Sequence, residues 1–350
     1  MSTTRRTCPA SPRLKTAHPL TLTLAVTAAL LVMASTGCNR ERQVAAPPEE
    51  AAAATDVSAS PSDEDVTTWP VPEIVIDDHG AEPRTLLQYT WPDLSPVTVR
   101  LSITTDMSMV VDGAPVPQLG QLPTLHMTMS YSELAPVDGG TRVTVRLLET
   151  TAEADPADPV SAAMAPMLNE RFDGFRYAVT MTVGPDGVAR DVSVVSDDVG
   201  GDMEQFIENL NRSVQQFVVP LPTVPVGPGA RWTVVTPVTQ GMVLAAQSRN
   251  RYVLDQLEDG TMTLVFDGTV VAEPDQPLLD PATGDSIGAV LSSLDGVVNG
   301  RMVVNLAHPL TATMSGNMSM TMTMQSDGTN PGPDAFTVTT TAGVEVRVVD

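Results

Sequence analysis

The sequence predicts a mainly β, α+β fold: one large, curved antiparallel meander sheet built from two similar halves, with one long amphipathic helix and one or two short ones. Three observations carry this. Apolar residues alternate with Ser, Thr, Asp and His through most of the chain after residue 85. Asp-Gly pairs separate the alternating runs. Two blocks about 120 residues apart repeat the same order of signals. Alternation of period two puts successive side chains on opposite faces, so each such run is a strand with one buried and one wet face.

The first 37 residues read as an export leader. Arg5, Arg6, Arg13 and Lys15 give a basic start without acids, and LTLTLAVTAALLVM (20 to 33) is an apolar run of 14 residues, too short for a permanent span. Ser35, Thr36, Gly37 and Cys38 follow. This segment resembles the lipobox of bacterial lipoproteins, with Ser35 where an aliphatic residue is usual. The resemblance implies that Cys38 is acylated and becomes the mature N-terminus, which places the chain on a membrane through its lipid, in the cell envelope. Cys8 is then lost with the leader, so no internal disulfide forms and a sizeable core must carry stability.

Residues 38–84 combine Ala, Pro, Glu, Ser and Asp without apolar periodicity, as in APPEEAAAATDVSASPSDEDV. Such a segment buries too little to offset its ordering entropy and is expected to be a disordered tether reaching about 37 Å. Trp69 and PVPEIVI are the parts of it suited to docking on the domain. The single β-rich domain is expected over 85–350.

Within that domain the strands are read at 101–111, 125–131, 143–147, 177–183, 262–266, 302–306, 314–324, 336–340 and 344–348. Turns are read at Asp138-Gly139-Gly140, Asp186-Gly187, Asp259-Gly260 and Thr341-Ala342-Gly343. GDMEQFIENLNRSVQQFVVP carries apolar residues at Met203, Phe206, Ile207, Leu210, Val214, Phe217 and Val218, a helical stripe ended by Pro220. The duplication pairs YSELAPVDGGTRVTV with YVLDQLEDGTMTLVF, and the halves extend over about 124–198 and 245–325. Each half continues through an Asp/Pro-rich loop into an expected short helix, starting at Asp158-Pro159 in the first and near Ser286 in the second, with Ile287, Val290, Leu291 and Leu294 as its apolar side.

Charge narrows the partners. Of 19 Lys+Arg, four lie in the leader, which leaves 15 basic residues, all Arg, against 42 Asp+Glu. A surface of that sign repels nucleic acid and anionic headgroups and favours solubility or cationic partners. No cofactor or metal is expected. His79, His126 and His308 have no metal-ligand spacing, and the cluster Asp197, Asp198, Asp202 and Glu204 lacks that of a calcium loop. Gly284-Asp285-Ser286-Ile287-Gly288 matches the G-x-S-x-G elbow of serine hydrolases, but a proline-broken loop precedes it where the elbow needs a buried strand. The chain is therefore expected not to be an enzyme, with hydrolysis at Ser286 a distant alternative.

Sixteen of the 18 methionines follow the leader, many alternating with Ser or Thr as in MSMTMTMQ (318 to 325). Met107, Met109, Met127, Met129, Met181, Met320 and Met322 all fall on the face expected to be apolar. Unbranched, polarisable methionine suits two roles there: filler of a broad sheet interior, or lining of a groove for acyl chains or another apolar ligand. Copper(I) capture is a poor third, because Met-x-Met on one strand spaces the thioethers about 7 Å apart. A continuous apolar groove favours a ligand-binding envelope lipoprotein; a dry core with a patch on the Ser/Thr face favours a structural or protein-interaction one.

PVGPGARW (Pro225 to Trp232), with the strand after it and the pattern Tyr252 to Thr261, resembles an element of secreted bacterial lipoproteins of an uncharacterised family. The overall plan is similar to that of the half-barrel lipoproteins related to periplasmic lipoprotein carriers. The first resemblance covers the C-terminal third and the second is architectural; neither implies catalytic residues.

Overall fold

The computed structural model describes residues 71–92, 95–116, 121–175, 177–196, 218–240, 244–279, 286–328 and 334–349. In chain order its strands are β1 (Glu73–Asp78), β2 (Val97–Val111), β3 (Ala114–Pro115), β4 (Thr124–Val137), β5 (Gly140–Glu153), β6 (Tyr177–Val183), β7 (Ala189–Ser196), β8 (Arg231–Gln240), β9 (Leu244–Glu258), β10 (Thr261–Ala272), β11 (Gln276–Leu279), β12 (Ser286–Asn305), β13 (His308–Ser326) and β14 (Ala335–Val349). One helix, α1 (Pro159–Phe172), is present among the described residues. It is neither long nor apolar enough to cross a membrane.

The strands form one 14-stranded sheet in the order β1-β8-β9-β10-β12-β13-β14-β2-β4-β5-β6-β7, with β11 beside β12 and β3 beside β2. Its pairings are antiparallel. The sheet is open, with β1 and β7 as its edges. The alternation expected from sequence is present: on β2, Leu101, Ile103, Thr105 and Met107 are buried while Thr104, Asp106 and Ser108 are exposed. The order contains two runs of successive neighbours, β2-β4-β5-β6-β7 and β8-β9-β10-β12-β13, joined by β14.

β1 pairs with β8 and Thr85 bridges Val226, so the PVPEIVI stretch that the sequence offers for docking is joined to the folded body through Glu73–Ile76. Two expectations need correction. Thr341-Ala342-Gly343 is no turn but the middle of β14, paired with β13 and β2 along its length. Residues 287–294 form strand, not a short helix. A bulge between Leu291 and Ser293 is the reason: it spaces the buried Leu291 and Leu294 three apart and so imitates a helical period. The expected long helix lies outside the described residues except for Val218 and Val219, as do Cys38 and the acidic cluster at 197–204.

Helix α1 starts as predicted. Asp158 caps it, its Oδ1 accepting from the amides of Val160 at 2.7 Å and Ser161 at 3.1 Å, and Pro159 opens the first turn. Ser161, Ala165, Leu168 and Phe172 make its buried stripe. Asn169 then ties the helix to β5 where β6 no longer pairs. Its side chain accepts from the Ala152 amide at 2.6 Å and donates to the Ala152 carbonyl at 3.0 Å, replacing a neighbouring strand.

The apolar face carries two clusters. The larger draws on strands from both arms of the sheet, including Trp232 and Val234 of β8 and Val179, Met181 and Val192 of β6 and β7, so the sheet curls around it. Trp232 stacks on Tyr252 with centroids 5.7 Å apart, and Tyr252 meets Phe266 at a tilt with centroids 6.1 Å apart. The smaller cluster holds Met107, Leu291, Leu294, Met320, Met322, Met324 and Val338 farther along the same strands. Between the clusters the Phe266 ring lies against the paired Gly300 and Gly316.

Two irregular segments, 79–92 and 218–230, strap one end of the curled sheet. Thr85 and Val226 exchange backbone hydrogen bonds, Gly227 donates to His79, and Gly229 donates to Leu254 on the β9 side. On the other arm Tyr89 donates its amide to Pro185 and Leu221 donates to Asp186, in the β6–β7 turn. The Tyr89 hydroxyl donates to the Val219 carbonyl at 3.1 Å, and the Trp232 indole to that of Pro220 at 3.0 Å. Burial pushes the Tyr89 phenol far above its ordinary value, so it stays a neutral donor.

Candidate functional site

Two faces compete as the site. The methionines nominated from sequence are brought onto the apolar face but not into one place. Met127, Met129 and Met181 lie in the larger cluster and Met107, Met320 and Met322 in the smaller, all six at most 3% exposed, with Met109 half-buried beside the smaller cluster. Their surroundings are other core side chains, with α1 laid across them through Ala165, Leu168 and Met164. Among the buried polar groups of this face, Thr340 stands directly between two of these methionines. It sits in register between Met320 and Met107, is fully buried, and its hydroxyl has no hydrogen-bond partner among the described residues. Thr340→Val is expected to stabilise the protein by about 1 kcal/mol, read as a raised urea midpoint, because it removes an unsatisfied buried hydroxyl at constant shape.

The wet face carries a groove. Its floor is a transverse row of register partners: Arg251 of β9, Asp267 of β10, Asn299 of β12, Asn317 of β13, Gly343 of β14 and Thr104 of β2. Gly343 presents no side chain between Asn317 and Thr104, and a Cβ there would meet Thr104 Oγ1 at 2.7 Å. Two cavities, of about 450 and 690 Å³, open over this row and share Thr104, Asn299, Asn317 and Gly343. Around the floor stand hydroxyls (Ser102, Ser315, Ser319, Thr341), two exposed valines (Val265, Val297), the carboxylates Asp106 and Glu345, and Arg301, a second cation beside the floor's Arg251. Arg301 is bound to Asp255 at 3.1 Å, and Arg251 holds Asp267 with Nε at 3.1 Å and Nη2 at 2.9 Å. The lining therefore sets amides and hydroxyls beside apolar side chains, Phe266, Val344 and Met318 among them, in a negative field that suits neutral or cationic groups.

One rim of the larger cavity carries a hydrogen-bonded chain that sequence reasoning misses. Ser102 Oγ lies 2.9 Å from His126 Nδ1, and His126 Nε2 lies 3.0 Å from Glu153 Oε2. Ser102 and His126 are register partners on β2 and β4, and Glu153 stands diagonally across on β5. The signal exists in sequence only as three wet-face positions on three separate runs, which strand register alone brings together. Ser286 is placed otherwise. It is the first residue of β12, its Oγ accepts from the Gly288 amide at 3.1 Å, and strand rather than the elbow's helix follows it. His308 opens β13, and His79 is exposed on the strap, where its carbonyl accepts from Gly227. No group of three metal-ligating side chains is found among the described residues.

The fold and its two faces define a class: an open, curled antiparallel-sheet protein with a methionine-filled interior and a polar groove on its outer surface. The chain matches no family model and no curated protein.

Proposed function

We propose that this protein is an exported, lipid-anchored binding protein of the cell envelope, held to a membrane through Cys38 and recognising a partner with the wet groove rather than with its methionine face. The observation that carries this reading is the contrast between the faces. Six of the seven nominated methionines are buried among core side chains, whereas the two cavities share the floor residues Thr104, Asn299, Asn317 and Gly343 on the opposite side. Of the two roles that the alternation suggested, protein interaction is thereby favoured over storage of an apolar ligand. The partner that suits the groove is an extended, neutral or cationic segment of another envelope protein, because amides and hydroxyls along the floor satisfy a peptide backbone and the carboxylates favour positive charge.

The duplicated signals and the two runs β2-β4-β5-β6-β7 and β8-β9-β10-β12-β13 support a two-halves origin, with α1 in the first half where β11 and the start of β12 stand in the second. The groove then sits on the seam strands β13, β14 and β2, where the halves meet.

The test is a photo-crosslinking amino acid placed at Asn317 and, as control, at the exposed Leu148 of β5, in cells making the full chain. A discrete adduct from position 317 that is absent from position 148, and lost when Gly343→Val fills the floor, is the expected result. Equal crosslinking from both positions, or none from 317, overturns the assignment of the groove.

A further inference from the structure

We propose that Ser102, His126 and Glu153 form a nucleophile relay, and that Ser102 attacks esters of neutral or cationic character presented in the wet groove. This adds a chemical step to the binding reading and does not depend on which partner occupies the groove.

The geometry has the parts of a serine nucleophile and its base. In the tautomer that donates Nε2–H to the exposed Glu153 carboxylate at 3.0 Å, the Nδ1 lone pair accepts from Ser102 Oγ at 2.9 Å. Both distances lie in the range at which a general base takes a proton. The His126 side chain is about one-quarter exposed, shielded by the flanking strands yet within reach of water, and Ser102 lines the 690 Å³ cavity. His126 lies on the β4 side of Ser102 while the cavity extends to the β14 side, so base and substrate approach Oγ from different directions. Thr104, Ser315 and Asn317 line the same cavity and give the substrate polar neighbours there. Glu345 is the register partner of Ser102 on β14, and it disfavours anionic acyl groups.

The step balances without a further reagent. Ser102 Oγ forms a bond to the carbonyl carbon as its proton passes to Nδ1. The ester C–O bond breaks, and the imidazolium returns the proton to the departing alcohol. Water then releases the acyl group by the same exchange. Glu153 touches no reacting atom and acts as a positioning residue.

The experiment treats the purified chain with a fluorophosphonate, whose phosphorus takes the place of the carbonyl carbon and whose fluoride leaves, and maps the adduct by mass spectrometry. The expected result is one adduct, on Ser102, absent in Ser102→Ala and unchanged in Ser286→Ala. His126→Gln, which keeps a polar group but no base, is expected to slow labelling about 100-fold. Glu153→Gln is expected to lower the maximal labelling rate several-fold without changing the concentration at half-saturation, a split that a merely structural role would not produce. No adduct on Ser102, or labelling of Ser102 at an undiminished rate in a folded His126→Gln protein, overturns the proposal.

Discussion

Met322→Ala is expected to destabilise the protein by about 2–5 kcal/mol, the usual range for truncating a fully buried methionine. Met322 is completely buried and stands in register between Leu294 of β12 and Val338 of β14, both in the smaller cluster. Truncation leaves a void among neighbours held by strands on both sides, so little collapse is available to relieve it. Urea unfolding gives the measurement, with a lowered midpoint at unchanged slope marking a loss of stability alone. Met109→Ala supplies the comparison, because Met109 shares the face but is half-buried, and its loss is expected to be clearly smaller. A loss at Met322 below about 1 kcal/mol, outside the range for core truncation, would mean that the face is loosely filled, and would return the apolar-ligand reading to first place.

The strand that carries Met322 also shows which features of the fold are legible in the sequence. From Met318 to Met324 the alternation with Ser and Thr is strict, and the paired threonines confirm which side is wet: Thr321 meets Thr339 at 3.2 Å and Thr323 meets Thr337 at 3.3 Å. Period two is a local property and survives in the sequence. What failed was non-local. The bulge at Leu291–Ser293 converts period two into a spacing of three, which no single run distinguishes from a helix turn. Thr341-Ala342-Gly343 has turn composition, but continuous pairing with β13 and β2 decides its conformation. There Gly343 opens space instead of reversing the chain. The candidate site suffered most from this limit. Asn299, Asn317, Gly343 and Thr104 are ordinary one at a time, and so are Ser102, His126 and Glu153. They become a floor and a relay through the register of neighbouring strands, and register is set by the whole sheet. The methionine face was legible because burial follows alternation; the groove was not, because it depends on a side chain that Gly343 lacks.

The strap gives the second large effect. Gly227→Ala is expected to cost more than about 4 kcal/mol, or to prevent folding, because an added Cβ would collide with the backbone carbonyl of Ala81 and approach that of Pro83 at 2.8 Å. Backbone cannot step aside as a side-chain tip does. Gly227 also donates to His79 and accepts from Ala230, so displacing it releases the ladder that joins 79–92 to 218–230. Gly229→Ala separates collision from backbone conformation. Gly229 adopts φ +79°, yet nothing lies within 4 Å of the position a Cβ would take, so only the left-handed penalty of about 1–2 kcal/mol is expected. Urea midpoints of the two variants, measured on the same chain, settle the role of the strap. If Gly227→Ala costs no more than Gly229→Ala, the strap yields easily and the two arms of the sheet are held by the core alone. If it costs several times more, the strap fixes the curl. The curl in turn sets the shape of the wet face, so in that case the depth of the groove and the placement of Ser102 on its rim depend on a contact on the opposite side of the sheet.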